Sequence, residues 1–222
     1  MIDNLNRYFD HSVLKSETAL ADILRLCQEA RENQFFGIAI NPCWVADAKR
    51  ELSGTGIKII SVSGFPLSAN RTDVKVFEAV RGVEDGADEI DMVANVGWLV
   101  SGEFGRAERE IFEVRKNLPA HIILKVIIEA PKLAPSAQVE ATKAVINGGA
   151  QFVKTATGFF GGATVETLRR LKQAAQGKIK VKASGGIRTF KETVALIEAG
   201  ADRIGSSASV EIMKESRPAP AR

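Results

Sequence analysis

The feature that most constrains this chain is a regular alternation of short apolar runs with longer segments of helical periodicity. Eight runs have the length of buried strands, and each is followed by apolar residues at helical spacing. The predicted strands are Tyr8–His11, Phe36–Ile40, Lys58–Val62, Glu89–Val93, Ile122–Ile128, Phe152–Thr155, Lys180–Ala183 and Arg203–Gly205. This alternation is typical of a parallel sheet, because each parallel pair needs a crossover connection, which is usually a helix.

Eight strands alternating with eight helices predict a single-domain (β/α)8 TIM barrel of the α/β class. An open doubly wound sheet would use fewer strands, and the Gly-x-Gly-x-x-Gly turn that marks its dinucleotide-binding form is missing from the first helix start. We expect residues 1–215 to form the barrel. The segment 216–222, rich in proline and alanine, is expected to be a disordered tail.

Local signals agree with this division of the chain. Thr189 and Glu192 have the spacing of a capping box and predict a helix start. Gly86, Gly149 and Gly200 each stand before a predicted strand, where glycine commonly ends a helix in the left-handed conformation. One βα unit therefore recurs along the chain, with loops of variable length.

Charge and composition exclude several classes of function. The 30 Lys and Arg residues exceed the 27 Asp and Glu residues by only 3, without a basic patch, so we expect no nucleic-acid partner. An apolar run of about 18 residues is lacking, so we expect no membrane association. Two cysteines and an N-terminus without a signal core indicate a cytoplasmic protein. Two histidines are too few to suggest a zinc cluster, and we expect no metal.

Charged residues lie inside predicted strands, where apolar side chains are expected. In the fourth strand a period of two places Glu89, Asp91 and Val93 on the face opposite Ile90 and Met92. If helices cover the apolar face, Asp91 points into the barrel. Three lysines hold comparable inward or strand-end positions in later strands: Lys125, Lys154 and Lys182. Catalytic groups in barrels come from the carboxyl ends of strands, so these four residues are candidates for a site.

Two interpretations of these charges stay open. They can form a structural ion network, since buried Lys and Asp residues need partners. Alternatively, three lysines against one inward aspartate are an unbalanced set, in which ammonium groups lower the pKa of at least one lysine. A lysine nucleophile needs its pKa to fall from about 10.4 to about 7, which a dry pocket and a second cation favour. The neutral amine can then form a Schiff base with a carbonyl substrate.

Three glycine-containing loops open onto the last predicted helices. They contain Gly158, then Gly185 and Gly186, and finally Gly205 with Ser207. Glycine lets backbone N–H groups approach an anion at a helix N-terminus, and barrels often bind phosphate after strands seven and eight. The alternative is that these glycines only serve tight βα turns. Their clustering on the last strands favours phosphate.

An ordered set of segments resembles the deoxyribose-phosphate aldolase family. The segments are 88–93 (DEIDMV), 152–158 (FVKTATG), 181–189 (VKASGGIRT), 64–67 (GFPL) and 41–42 (NP), and the likeness runs from about Phe9 to Met213. Each segment alone is moderately specific, whereas the ordered set is highly specific. The resemblance implies a class I aldolase without metal or cofactor. Such an enzyme reversibly cleaves 2-deoxy-D-ribose 5-phosphate to acetaldehyde and D-glyceraldehyde 3-phosphate, a step in deoxyribose phosphate breakdown.

The same resemblance implies roles for individual residues. Lys154 matches the Schiff-base lysine, Lys182 the lysine that lowers its pKa and relays protons, and Asp91 the proton donor and acceptor. Asp10 matches an aspartate near the substrate hydroxyls. Lys125 is placed with the substrate-binding residues, and we expect it to pair with Asp91. The family holds phosphate at positions that correspond to Gly158, Gly185, Gly186, Gly205 and Ser207.

Some positions depart from the family pattern. Ala208 stands where a second serine is common, so one hydrogen bond to phosphate is either missing or supplied by Ser209. Phe159 and Phe160 make the loop after Gly158 more apolar. We expect small phosphorylated sugars and aldehydes as substrates and a homo-oligomer, either dimer or tetramer. The alternatives are an isomerase or synthase acting on another phosphorylated sugar, and a phosphosugar-binding barrel without turnover.

Overall fold

A computed structural model describes residues 2–217, and its sheet is one closed barrel of eight parallel strands in chain order. The strands are β1 Phe9–Val13, β2 Gly37–Ile40, β3 Lys58–Ser63, β4 Glu89–Val93, β5 Ile123–Ile127, β6 Phe152–Lys154, β7 Lys180–Ser184 and β8 Arg203–Ser206. The prediction of a (β/α)8 TIM barrel is confirmed. Residues 218–222 of the expected tail lie outside the described residues.

Nine α-helices occur within residues 2–217, one more than the eight that the sequence predicts. They are α1 Leu20–Asn33, α2 Val45–Glu51, α3 Thr72–Glu84, α4 Val96–Val100, α5 Phe104–Lys116, α6 Pro135–Asn147, α7 Val165–Ala175, α8 Phe190–Glu198 and α9 Ser209–Glu215. The additional helix is the short α4, which begins where the Asn95 side chain accepts a hydrogen bond from the Trp98 N–H. None of the described helices has the length and apolar character to cross a bilayer.

The predicted helix ends are confirmed. The Thr189 hydroxyl accepts a hydrogen bond from the Glu192 N–H at 3.2 Å, and the Glu192 carboxylate accepts one from the Thr189 N–H at 3.0 Å. Gly86, Gly149 and Gly200 have φ angles of 112°, 83° and 107°, in the region that side chains with a Cβ rarely adopt. The three glycines end α3, α6 and α8 shortly before β4, β6 and β8 begin.

The strands are buried on both faces, as expected for a barrel covered by helices. Along β4, Ile90 and Met92 belong to the hydrophobic core, while Glu89 and Asp91 are buried on the other face. Because the period of two is strict, the second set faces the barrel interior. β4 therefore contributes two charged side chains to the interior of the barrel.

A buried ion pair outside the barrel fixes the carboxyl end of β4. Lys75 on α3 and Glu110 on α5 are fully buried, with Lys75 Nζ 2.8 Å from Glu110 Oε1. Lys75 also donates to the Val93 carbonyl at 2.9 Å, and Glu110 accepts from the Asn95 N–H at 2.9 Å. The pair holds the backbone just beyond Asp91 against two helices.

Candidate active site

Asp91 lies in the barrel interior and contacts three lysines. Its Oδ1 atom is 2.8 Å from Lys125 Nζ, and its Oδ2 atom is 2.8 Å from both Lys154 Nζ and Lys182 Nζ. The strand register explains the convergence, since Asp91 pairs with Lys125 and Lys154 pairs with Lys182. The structure therefore brings together the four residues that the alternation pattern selects.

The interior holds more carboxylates than the sequence predicts. Asp10 Oδ2 lies 2.5 Å from Lys182 Nζ, and Glu89 Oε2 lies 2.5 Å from Lys125 Nζ. The expectation of three lysines against a single aspartate is wrong: the alternation along β4 already places Glu89 on the inward face, and Asp10 on β1 also contacts a lysine of the interior. We call these two carboxylates and Arg203 the lower tier of the network.

Arg203 completes the lower tier. Its Nη1 atom lies 2.7 Å from Asp10 Oδ1 and its Nη2 atom 3.7 Å from Glu89 Oε1. The guanidinium carbon lies 3.3 Å from the centroid of the Phe36 ring. The interior thus contains three carboxylates and four basic groups, which leaves one positive charge in excess when all are ionised.

Burial lowers the pKa of Lys154 to about 8, and this desolvation is the largest cause. The Asp91 carboxylate opposes the shift, while the Lys182 and Lys125 ammonium groups add to it. Neighbouring cations contribute as predicted, but they rank behind burial. At pH 7 Lys154 is then a neutral amine in about one tenth of the protein molecules, and this form can act as a nucleophile.

Asp91 and Lys125 keep their charges. Burial works to raise the pKa of Asp91, but the three lysines overcome it and hold that pKa well below the ordinary value. Burial likewise works to lower the pKa of Lys125, but Asp91 and Glu89 raise it above the ordinary value. Asp91 is therefore a carboxylate and Lys125 an ammonium ion at neutral pH.

A cavity of about 460 Å³ opens above this network at the carboxyl ends of the strands. Lys154 lines the cavity, whereas Asp91, Lys125, Lys182 and Asp10 lie below it. Lys154 is the one cation of the network that a substrate in this cavity can touch. The assignment of Asp10 to substrate hydroxyls stays a prediction, and in the structure its oxygens contact Lys182 and Arg203.

The glycine-containing loops form one side of the same cavity. Five predicted phosphate-binding residues line it: Gly158, Gly185, Gly186, Gly205 and Ser207. A Cβ atom on Gly185, whose φ is 92°, would lie 2.8 Å from the Gly161 carbonyl oxygen. This close approach of two loops explains Gly185 by packing alone. The phosphate role of the five residues therefore stays a prediction.

Ser209 does not take the place of the missing serine. Its hydroxyl is buried and donates to the Ser206 carbonyl at 3.0 Å, while the Ser206 hydroxyl donates to the Ile187 carbonyl at 2.7 Å. Ser209 is also not among the residues that line the cavity. The Ser209 hydroxyl instead supports the turn that presents Ser207.

Two features next to the cavity were not predicted from the sequence. Glu129 is buried at the end of β5, accepts a hydrogen bond from the Thr157 hydroxyl at 2.7 Å and has a pKa that burial raises. It thereby fixes the loop after Lys154. At the mouth, the rings of Phe159 and Phe65 meet edge to face with centroids 5.6 Å apart. A charge directly after the apolar run of β5 was the available signal for Glu129.

A closed (β/α)8 barrel with a buried lysine of lowered pKa at the floor of its cavity is an arrangement that suits an enzyme of the Schiff-base aldolase class. Comparison with known proteins identifies the family. A family model described as "DeoC/LacD family aldolase" matches residues 5–214. The chain belongs to the DeoC/LacD family of aldolases.

Individual relatives cover almost the whole chain. A deoxyribose-phosphate aldolase from Thermoanaerobacter sp. (strain X514) is 45% identical over 215 residues, which are 96% of each chain. Among solved structures, the aldolase QR15 has a TM-score of 0.92 at 38% identity and 96% coverage of both chains. The tetrameric deoxyribose phosphate aldolase from Aeropyrum pernix has a TM-score of 0.88 at 31% identity, covering 95% of this chain and 89% of that one.

Proposed function

We propose that this protein is a class I deoxyribose-phosphate aldolase. It reversibly cleaves 2-deoxy-D-ribose 5-phosphate to acetaldehyde and D-glyceraldehyde 3-phosphate in the breakdown of deoxyribose phosphate. The observation that carries the proposal is Lys154, whose side chain lines the cavity, lies 2.8 Å from Asp91 and has a pKa of about 8. The Thermoanaerobacter relative, a deoxyribose-phosphate aldolase, supports the choice of substrate.

The proposed chemistry needs only the groups of this network. The neutral Lys154 amine adds to the aldehyde carbon of the open-chain sugar, and loss of water gives an iminium ion. Removal of the proton from the C3 hydroxyl breaks the C2–C3 bond and releases D-glyceraldehyde 3-phosphate, while the electron pair of that bond moves into the iminium and gives an enamine. Protonation of C2 and hydrolysis then release acetaldehyde and restore the amine. The iminium supplies the electron sink, so the proposal invokes no metal or cofactor.

Asp91 and Lys182 are the proposed proton carriers. Because Asp91 is ionised, it begins the cycle as a proton acceptor and as the anchor of the Lys154 and Lys182 amines. Lys182 is the proposed proton donor, since its ammonium group contacts the same Asp91 oxygen as Lys154 does. Lys125 orients Asp91 from the other oxygen. A proton can therefore pass between the two lysines through one carboxylate.

Chemical trapping tests the Schiff base directly. We expect borohydride reduction in the presence of acetaldehyde to add one ethyl group to Lys154, identified by peptide mass spectrometry. The same protein should cleave deoxyribose 5-phosphate in the presence of EDTA. An unmodified Lys154 in folded protein would contradict the assignment. Phosphosugar binding without exchange of acetaldehyde protons would instead favour the non-enzymatic alternative, and conversion without carbon–carbon cleavage would favour an isomerase or synthase.

The proposed phosphate site predicts a selective defect in Gly185→Ala. The new methyl group meets the loop at Gly161 and Gly162, at 2.8 and 2.9 Å, and displaces the backbone that faces the ligand. We expect KM for deoxyribose 5-phosphate to rise about tenfold or more, while turnover of unphosphorylated deoxyribose changes little, because the interactions lost concern phosphate. Steady-state kinetics on both substrates measure the difference.

Gly177→Ala is the matched control for this defect. Gly177 also has a positive φ, of 73°, but a Cβ atom added there would meet nothing within 4 Å. It therefore reproduces the backbone strain away from the cavity and should leave both substrates unaffected. An equal loss on the two substrates in Gly185→Ala would argue for a general packing role of the loop and against phosphate binding.

Assembly and location extend the proposal. We expect a homo-oligomer, dimer or tetramer, and the tetrameric relative from Aeropyrum pernix supports an assembled form. Large apolar side chains are exposed on α3 and α5, notably Phe77 and Phe112. The cytoplasmic location stays a prediction, supported by the free thiols of Cys27 and Cys43.

A further inference from the structure

The three lysines around Asp91 do not have the same number of acidic partners. Lys125 contacts Glu89 as well as Asp91, and Lys182 contacts Asp10 as well as Asp91. Within residues 2–217, Lys154 has an ion pair with Asp91 alone. The ammonium form of Lys154 is therefore the least compensated of the three.

Arg203 gives the barrel interior one positive charge in excess. Its guanidinium is always charged, so it adds a fixed positive charge to an interior that otherwise has three lysines and three carboxylates. With Arg203 present, the interior is neutral only after one lysine has lost its proton. Without Glu89, two protons would be in excess, and without Arg203, none would be.

We propose that Glu89 and Arg203 are positioning residues of the reaction: they set the charge of the barrel interior so that one proton is in excess, and that proton leaves from Lys154. Neither residue touches the cavity. Both act on Lys154 through other buried groups: Glu89 contacts Lys125, and Arg203 contacts Asp10, which contacts Lys182. The inference deepens the proposed function and rests on it, since it concerns the same amine.

The charged groups near Lys154 and Arg203 are consistent with the loss of the proton from Lys154. Lys154 is influenced by Asp91 from β4, Lys125 from β5, Lys182 from β7 and Glu129 from the loop after β5. Arg203 faces Asp10 and Glu89 and packs on the Phe36 and Phe152 rings, and Lys180 lies 5.8 Å from the Phe152 ring on β6. A charge removed from the lower tier therefore changes the balance of a closed set of groups.

Opposite shifts in two variants test the proposal. Peptide mass spectrometry follows the rate at which acetic anhydride acetylates Lys154 as a function of pH. In the wild type we expect the midpoint of this pH profile at about 8. Glu89→Gln removes a negative charge, which favours the neutral amine, so the midpoint should fall by about half to one pH unit. Arg203→Gln removes a positive charge, so the midpoint should rise by about the same amount.

Charge-preserving variants separate electrostatics from packing. Glu89→Asp and Arg203→Lys should keep the wild-type midpoint even where they reduce turnover. If Arg203→Gln does not fold, the double variant Glu89→Gln/Arg203→Gln decides, because it restores the original balance of charge and should return the midpoint to about 8. A merely structural role for the lower tier predicts no such restoration.

Two outcomes would overturn the inference. One is that the midpoint in the folded single variants does not shift, or shifts in the same direction in both. The other is that Lys125 or Lys182 is acetylated ahead of Lys154. Acetylation needs no turnover, so the result is independent of the aldolase activity. Opposite shifts in a protein that does not cleave deoxyribose 5-phosphate would refute the proposed function alone. Full cleavage without shifts would refute the inference alone.

Discussion

Lys154→Leu is expected to reduce retro-aldol cleavage of deoxyribose 5-phosphate by at least about a thousandfold while leaving the fold as stable as in the wild type. Activity falls because the nucleophile and the electron sink that it forms are both lost. Stability is retained because the remaining network then has three cations and three carboxylates, and no buried carboxylate loses its last partner. Steady-state kinetics and urea unfolding measure the two effects.

The combination of lost activity and kept stability distinguishes a reactive lysine from a structural one. A lysine that served only the ion network would contribute to stability and not to the reaction, so its removal would lower the free energy of unfolding and leave cleavage by the folded protein largely intact. Lys180→Leu is the matched control, since Lys180 belongs to neighbouring β7 but is exposed at the far end of the strand. We expect full activity in that variant. Substantial cleavage by Lys154→Leu would place the Schiff base on another amine.

The sequence predicts the inward position of Asp91 because alternation along a short strand leaves few choices. Ile90 and Met92 mark the face that helices cover, so Asp91 has to point inward once the barrel closes. The eight strands and the ends of the helices follow from equally local signals, including the capping box at Thr189. For these features, local preference and tertiary packing agree.

Two members of the lower tier, Asp10 and Arg203, are not predictable in the same way, whereas Glu89 follows from the same alternation as Asp91. Asp10 and Arg203 are 193 positions apart in the chain, and they meet only because β1 pairs with β8 when the barrel closes. Arg203 also stands at the start of its strand, where a charged residue is ordinarily expected to reach solvent. Its stacking on Phe36 keeps it inside instead. Contacts of this range depend on closure of the whole sheet.

Lys75 and Glu110 illustrate a second limit. Each lies on a helix among other charged residues, and such residues usually lie on the solvent-exposed face of a helix. They are buried because α3 and α5 pack side by side over the end of β4, where backbone groups of Val93 and Asn95 need partners. The helical pattern alone does not reveal which charges serve the backbone of a neighbouring strand.

Asp91→Asn is expected to abolish turnover and, unlike Lys154→Leu, to destabilise the protein by about 3–5 kcal/mol at pH 7. The substitution preserves shape but leaves two lower-tier carboxylates for four basic groups. Because the wild-type pKa of Asp91 is lowered, its stabilising contribution is present above the ordinary pKa of an aspartate and is lost only as the pH falls below it. At pH 7 the substitution therefore removes the whole stabilising contribution of Asp91.

The pH dependence of the loss identifies its cause. In Asp91→Asn the excess positive charge can be relieved by deprotonation of Lys154, so the deficit in unfolding free energy should shrink between pH 7 and pH 9. Asp73→Asn, the same substitution in an exposed ion pair with Arg71, should leave the free energy of unfolding almost unchanged at either pH. A deficit in Asp91→Asn that is independent of pH would mean that lost packing, and not uncompensated charge, accounts for it. Charge is the expected cause, since Asp91 is the one carboxylate of the described interior on which all three lysines converge.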